Sequence, residues 1–317
     1  MKHALFALTV ALVSVAAVRA TPARAQARVF VAAQGSDANP CTFAAPCRTF
    51  QHAHDVVVAG GEIDVLDPAG YGAVNITKAI SIQGHNFSGI STPSGGTAIT
   101  INAGANDKIN LSGLIIEGAG IGVNGILFQT GKSLVIENCR VRNLSNIGIQ
   151  FYPTISSSLA VSDTLVAEVG STAIHVKPNG TDLTVLSSLN RVGMYNNDGN
   201  GLFLDGVNMT GGFVRANVTD SLASNNKLNS FIAKAVGPHS WALMLVTRSV
   251  AEYSDTAFWV ESNDPNGAYA RIGISGNTTY ANKCFAQVNA FSKIDTFKDN
   301  TIYDDVCHMP DAFWPKL

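Results

Sequence analysis

Apolar and polar positions alternate over short runs along most of this chain, and the runs return at a nearly fixed interval. Ile126, Ile149, Ile174, Leu202, Phe231, Phe258 and Phe285, each preceded by Gly, Ala, Ser or Cys, recur every 23 to 29 positions. A second line keeps the same phase through Asn138, Asp163, Ser188, Asp220, Arg248, Gly276 and Asp299, at steps of 25, 25, 32, 28, 28 and 23. One further step of 25 back from Asn138 reaches Gly113, so the register extends from near residue 80 to the end of the sequence.

A period of this size restricts the fold to a solenoid, a propeller or a helical array, because one repeat cannot bury its apolar side alone. Runs such as Leu134-Val135-Ile136, Ala173-Ile174-His175-Val176 and Ala257-Phe258-Trp259-Val260 are β-branched or aromatic and carry no 3.6-residue stripe, which excludes helical arrays. The dense leucine and asparagine pattern of leucine-rich repeats is missing, and propeller blades need about 40 residues or more. The pattern therefore predicts an all-β, parallel β-helix solenoid in which each coil adds two or three short strands. Charged residues are only 14% of the chain, as expected when most faces are stacked strands and small-residue turns. The net charge of -2 points away from nucleic acid, and no basic run or amphipathic helix points to a membrane surface.

The ends are organised differently. Met1-Lys2-His3, an apolar run from Ala4 to Val18 and small-residue sites at Val18-Arg19-Ala20 and Ala23-Arg24-Ala25 read as a signal peptide over 1–25. The run is shorter than the roughly 20 residues of a membrane span. This predicts a secreted or periplasmic protein with no membrane insertion after cleavage. Residues 26–75 read as an N-terminal cap with the first coil, and 76–317 as β-helix repeats continuous with it. Arg28–Ala32 is expected as a strand and Thr49–Val58 as a short helix stopped by Gly60-Gly61. His52 and His54, two apart on that helix, are expected as surface residues and not as a metal pair.

Export makes disulfides expected. Cys41 and Cys47 enclose a loop short enough to be pinned, and Cys284 and Cys307 are one 23-residue step apart, which places them on successive coils. Cys139 is left as a buried small hydrophobe.

The segments Gly35-Ser36-Asp37-Ala38-Asn39-Pro40-Cys41-Thr42 and Pro46-Cys47-Arg48-Thr49-Phe50-Gln51-His52-Ala53 resemble the opening of secreted right-handed β-helix proteins of the pectate-lyase-like superfamily. In those proteins a Gly-x-Asp-x-x-Pro segment and a Pro-x-x-Thr-[Ile/Phe]-x-x-Ala helix precede the first coil. The resemblance implies right-handed coiling and a link to extracellular or cell-envelope polysaccharide, but no activity, since catalytic and inert members share the scaffold. The hydrolase segments of the superfamily are broken here: the nearest matches are Gly84-His85-Asn86 and Arg271-Ile272-Gly273. Asp304-Asp305, the one adjacent acidic pair, reads as a terminal turn.

Chemistry, if present, must then be assembled from separate coils. Residues one and three past each inward apolar position project outward, which gives Leu127 and Gln129, Gln150 and Tyr152, His175 and Lys177, Phe203 and Asp205, Ile232 and Lys234, Trp259 and Glu261. Tyr152, Phe203 and Trp259 are candidate sugar platforms, and His175, Lys177, Asp205, Lys234 and Glu261 candidate partners for hydroxyls or uronate carboxylates. The bland alternative is a solvated ladder of alternating charge. Three functions remain open: a polysaccharide-contacting protein without catalysis; a calcium-dependent uronate lyase with Lys177 or Lys234 as base; and a structural or adhesive solenoid. No cofactor is expected, calcium entering only with the lyase.

Overall fold

The computed structural model describes residues 26–262, 267–288, 292–297 and 299–305. The expected signal peptide and Cys307, and with it the bridge to Cys284, lie outside the described residues. The chain winds as a parallel β-solenoid of about 9 turns. Its first sheet has nine strands, running from Val74–Ile76 and Thr97–Asn102 through Asn124–Thr130, Ile149–Phe151, Ile174–Val176, Leu202–Asp205, Asn229–Ala235 and Thr256–Ser262 to Cys284–Val288. Every neighbouring pair in it is parallel. A second ladder stacks Ser133–Glu137, Ser157–Ser162, Thr184–Asn190, Phe213–Thr219, Trp241–Thr247, Tyr269–Ser275 and Ser292–Thr296. A third stacks Arg140–Leu144, Leu165–Val169, Gly193–Tyr195, Leu222–Ser224, Val250–Glu252, Thr278–Tyr280 and Thr301–Ile302. In the early coils the last two are continuous within the long strands Ile80–Ser91 and Lys108–Glu117.

The predicted apolar line is the inward face of the first sheet. Ile126, Ile149, Ile174, Leu202, Phe231 and Phe258 pair in unbroken register. The last step differs by one position: Phe258 pairs with Ala286, while Phe285 sits one residue earlier and is buried as well. The small residue before each inward position has a steric cause. A Cβ at Gly125 would meet a Val141 methyl at 2.5 Å and the Gly148 carbonyl oxygen at 2.6 Å.

The second line marks the corner between the second and third sheets, where one residue per coil takes a left-handed conformation. Gly113, Asn138, Asp163, Arg191, Asp220, Arg248 and Gly276 all have φ between 47° and 65°. The extrapolation to Gly113 holds, whereas Ser188 does not belong to the line; its place is taken by Arg191. Ser188 lies within the strand Thr184–Asn190, so there is no 32-residue coil. Asn, Asp and Gly tolerate this conformation best. Arg191 is none of these, and its guanidinium is held by two bonds to Asp163, at 2.5 and 2.6 Å.

Inside, apolar stacks alternate with polar ladders. Phe128 stacks on Phe151 at 4.4 Å and Phe231 on Phe258 at 5.6 Å. Buried asparagines satisfy one another from coil to coil: Asn197 Nδ2 donates to Asn226 Oδ1 at 2.7 Å, and Asn229 Nδ2 to Asn200 Oδ1 at 2.8 Å. Asp304 closes such a ladder, accepting from both the backbone N–H and the Nδ2 of Asn282, so it is more than a solvated turn.

The cap contains the expected helix, shorter than predicted, over Phe50–Val56 with Thr49 as its N-cap. Gly60-Gly61 does not follow a helical tail, because the strand Val57–Val65 begins at once and runs through both glycines. Asp37 explains the opening motif: it accepts from the N–H groups of Arg48 and Thr49 and from the Thr49 hydroxyl, clamping the loop to the helix start. Cys41 and Cys47 are bridged. His54 corrects the expectation of two surface histidines. It is buried, bonded through Nδ1 to Asp55, and its Nε2 accepts from the Thr77 N–H at 3.2 Å.

Candidate functional site

The outward face of the first sheet brings the predicted strip together. Thr100, Leu127, Gln150, His175, Phe203, Ile232 and Trp259 are consecutive partners across seven strands. The register also aligns Asp205, Lys234 and Glu261. Strand spacing of about 4.8 Å then sets one side chain per coil along the solenoid axis. The corrected corner at Arg191 leaves this strip intact, because the first sheet keeps its own register.

Asp205 organises the middle of the strip. Its side chain is 4% exposed and accepts from His175 Nε2 at 3.1 Å, Lys177 Nζ at 3.2 Å and the Val207 N–H at 3.0 Å. Burial pushes its carboxyl upward, but the hydrogen bonds from His175 and Val207 and the charges of His175 and Lys177 outweigh that, so it ionises below the ordinary carboxylate range. His175 in turn stacks face to face on Phe203, 4.7 Å apart and 9° from parallel. One coil further, Lys234 pairs with Glu261 at 3.0 Å. The strip thus consists of internally neutralised pairs whose two lysine side chains remain 27% exposed.

Tyr152 stands at the N-terminal side, where its hydroxyl accepts from Asn208 Nδ2 at 3.4 Å. Asn208 belongs to a wall of turns beside the sheet. The short parallel pair Gly180–Thr181 and Met209–Thr210 builds it, and Gly211 N–H extends it by donating to the Pro238 carbonyl. Trp259, towards the other end, is half-buried, and its indole N–H is shielded from solvent without an acceptor among the described residues. A shielded indole N–H normally finds a partner; this one is closed off from the surface, so what Trp259 presents to the face is its ring.

Calcium does not fit this face. Among the described residues the one group of three potential metal ligands is Cys41, Cys47 and His52, and two of those sulfurs are bonded to each other. Asp205 and Glu261 are each engaged by a lysine. Cys139 is buried as expected, and desolvation raises its thiol pKa to about 11, which keeps it a protonated, unreactive thiol. Sequence reasoning missed a concavity of about 620 Å³ at the corner between the second and third sheets, lined in part by Arg140, Asp163, Arg191, Gly193 and Tyr195. No helix among the described residues is long and apolar enough to cross a membrane.

No family profile matches the chain, and no curated protein matches it in sequence. Solved structures do match in shape. The pectate lyase Pel9A superposes with a TM-score of 0.58 at 14% identity, covering 90% of this chain and 79% of that one. A rhamnogalacturonan lyase gives 0.43 at 14% identity, with 88% and 86% covered, and the periplasmic alginate epimerase AlgG gives 0.38 at 11%, with 78% and 77% covered. The last two superpose only loosely. With about nine parallel coils, an N-terminal helical cap and the superposition on Pel9A, the chain is a right-handed parallel β-helix of the pectate-lyase-like fold.

Proposed function

We propose that this protein is exported and binds an acidic polysaccharide along the outward face of its first sheet, without cleaving it. The carrying observation is the alignment of His175, Lys177, Lys234, Phe203 and Trp259 on consecutive coils of one face, beside a wall of turns. A polymer laid along the axis meets a new side chain about every 4.8 Å. The pairing of Lys177 with Asp205 and of Lys234 with Glu261 favours binding over catalysis, since each cation keeps a carboxylate at hand. Export is supported by the Cys41–Cys47 bridge, which belongs to oxidising compartments.

The test is retention of the mature chain on immobilised uronate polysaccharides, with absorbance near 235 nm, roughly where unsaturated uronates absorb, followed with and without calcium. Retention without new absorbance is expected. Trp259→Ala and Lys177→Ala should each weaken retention by about tenfold while leaving circular dichroism unchanged, on the scale of one stacking contact or one charge-assisted bond. Undiminished retention in both variants places the polymer elsewhere. A calcium-dependent rise in absorbance, lost on changing Lys177 or Lys234, replaces the binder with a lyase. Absence of retention on every polymer leaves a structural or adhesive solenoid.

A further inference from the structure

A concavity lies at the corner between the second and third sheets, away from the first sheet. Its floor comes from one exchange of side chain for ring. Arg140, Leu165 and Gly193 are successive outward partners in the third sheet, and the chain leaves out a side chain at the third of them. Tyr195, two residues on and on the same face, lays its ring across that gap. A Cβ built on Gly193 would lie 2.3 Å from a Tyr195 ring carbon and 3.0 Å from the next. A ring covering a glycine in this way is a known stabilising device in sheets. Here it also leaves a flat aromatic surface beside a cleft of about 620 Å³, within the range of about 300–1,000 Å³ typical of small-ligand sites.

Charge around the cleft is uneven. Arg191 is engaged by both oxygens of Asp163, so its charge is answered within the protein. Arg140, two strands away or about 10 Å, is exposed and has no carboxylate within ion-pair reach among the described residues. One free guanidinium fork favours a single carboxylate held by two parallel bonds. Asp163 on the rim, with Glu137 close enough to act on Arg191, disfavours a dianion such as a phosphomonoester. Asn138, exposed on the lining, supplies neutral donors and an acceptor for hydroxyls.

We infer that this corner cleft binds one carboxylate-bearing pyranose, its ring face on Tyr195 and its carboxylate on Arg140. Most of the lining comes from the corners of three coils, with Asn86 reaching in from an earlier one, and the aromatic floor and the free guanidinium are single features within it, so it suits a chain end or a branch residue, whereas the first sheet suits a run of polymer. The inference does not rest on the binding proposed for that sheet.

Calorimetric titration of the full mature chain with a trisaccharide of galacturonate, and with its neutral galactose counterpart, tests it. The acidic trisaccharide is expected to bind about tenfold more tightly than the neutral one, and Arg140→Gln to erase that preference. Tyr195→Leu and Gly193→Ala, the latter driving the ring off its seat, should each weaken both sugars by several fold. Arg140 is exposed, so its replacement leaves the fold intact. Trp259→Ala reports on the first sheet alone. Arg140→Gln within about twofold of wild type overturns the inference, as do equal binding of the two sugars and no binding at millimolar concentration. Loss of trisaccharide binding in Trp259→Ala but not in Arg140→Gln also overturns it, and assigns the sugar to the first sheet.

Discussion

At the scale of single residues, Asp205 is the side chain on which the candidate strip depends. It is 4% exposed and holds His175, Lys177 and the turn at Val207 at once. Its carboxyl is driven below the ordinary value of 3.8 in the folded protein, so its contribution to stability is present above that value and is lost as pH falls through the lower folded one. Asp205→Asn should therefore cost about 3–5 kcal/mol at pH 7, the range for removing one partner of a buried pair, and should flatten the fall in denaturant midpoint between pH 4 and pH 2. A variant that loses midpoint in parallel with wild type across that range places the acid sensitivity in other carboxylates. The phase of the repeat placed Asp205, His175 and Lys177 on one face from sequence alone. It did not show that Asp205 would be buried beneath both side chains, because that depends on the connection through Val207, which has no period. Nor did it show the Tyr195 ring over Gly193, since a ring lying back across its own strand leaves no mark in the spacing.

At the scale of strands and corners, two kinds of position hold successive coils in phase. Apolar inward residues carry the register through burial, and they were legible because their alternation is strict. Corner residues were legible where the left-handed conformation recruits Asn, Asp or Gly, and at Arg248 because its neighbours on either side, Asp220 and Gly276, fix the step. At Arg191 the conformation is the same but the residue is not, and the reading moved to Ser188. The buried amide ladder gives a sharper test of how coils are locked. Asn226 is fully buried, with Oδ1 accepting from Asn197 and Nδ2 donating to the Met194 carbonyl. Asn226→Ala orphans both partners, each at about 1–3 kcal/mol, so a loss of about 2–6 kcal/mol in chemical denaturation is expected. Leu186→Ser, on the exposed face of the second sheet, should change stability by less than about 0.5 kcal/mol. Equal effects from the two would mean that the amide ladder contributes nothing beyond the average surface contact.

At the scale of the whole molecule, coils touch chiefly their neighbours, a reach such as Asn208 to Tyr152 being the exception, so stability is close to a sum of coil and interface terms and damage at one end should stay there. The N-terminal end is where this can be measured. The strand Gln26–Val31 pairs with Val57–Val65, which pairs with Ile80–Ser91, and the bridge Cys41–Cys47 pins the loop between the first strand and the helix. The bridge closes a loop of six residues, for which chain entropy predicts about 2 kcal/mol. The double variant Cys41→Ser, Cys47→Ser should accordingly raise amide exchange in Gln26–Val31 and Val57–Val65 by about thirtyfold, the factor equivalent to that energy. Exchange in Leu202–Asp205, several coils away, should stay within about twofold. Such a gradient also predicts that the glycan retention proposed for the first sheet survives this double replacement, because His175, Lys177 and Trp259 lie far along the stack from the cap. If exchange accelerates uniformly instead, the solenoid unfolds as one cooperative unit, and the cap then governs the first sheet from a distance.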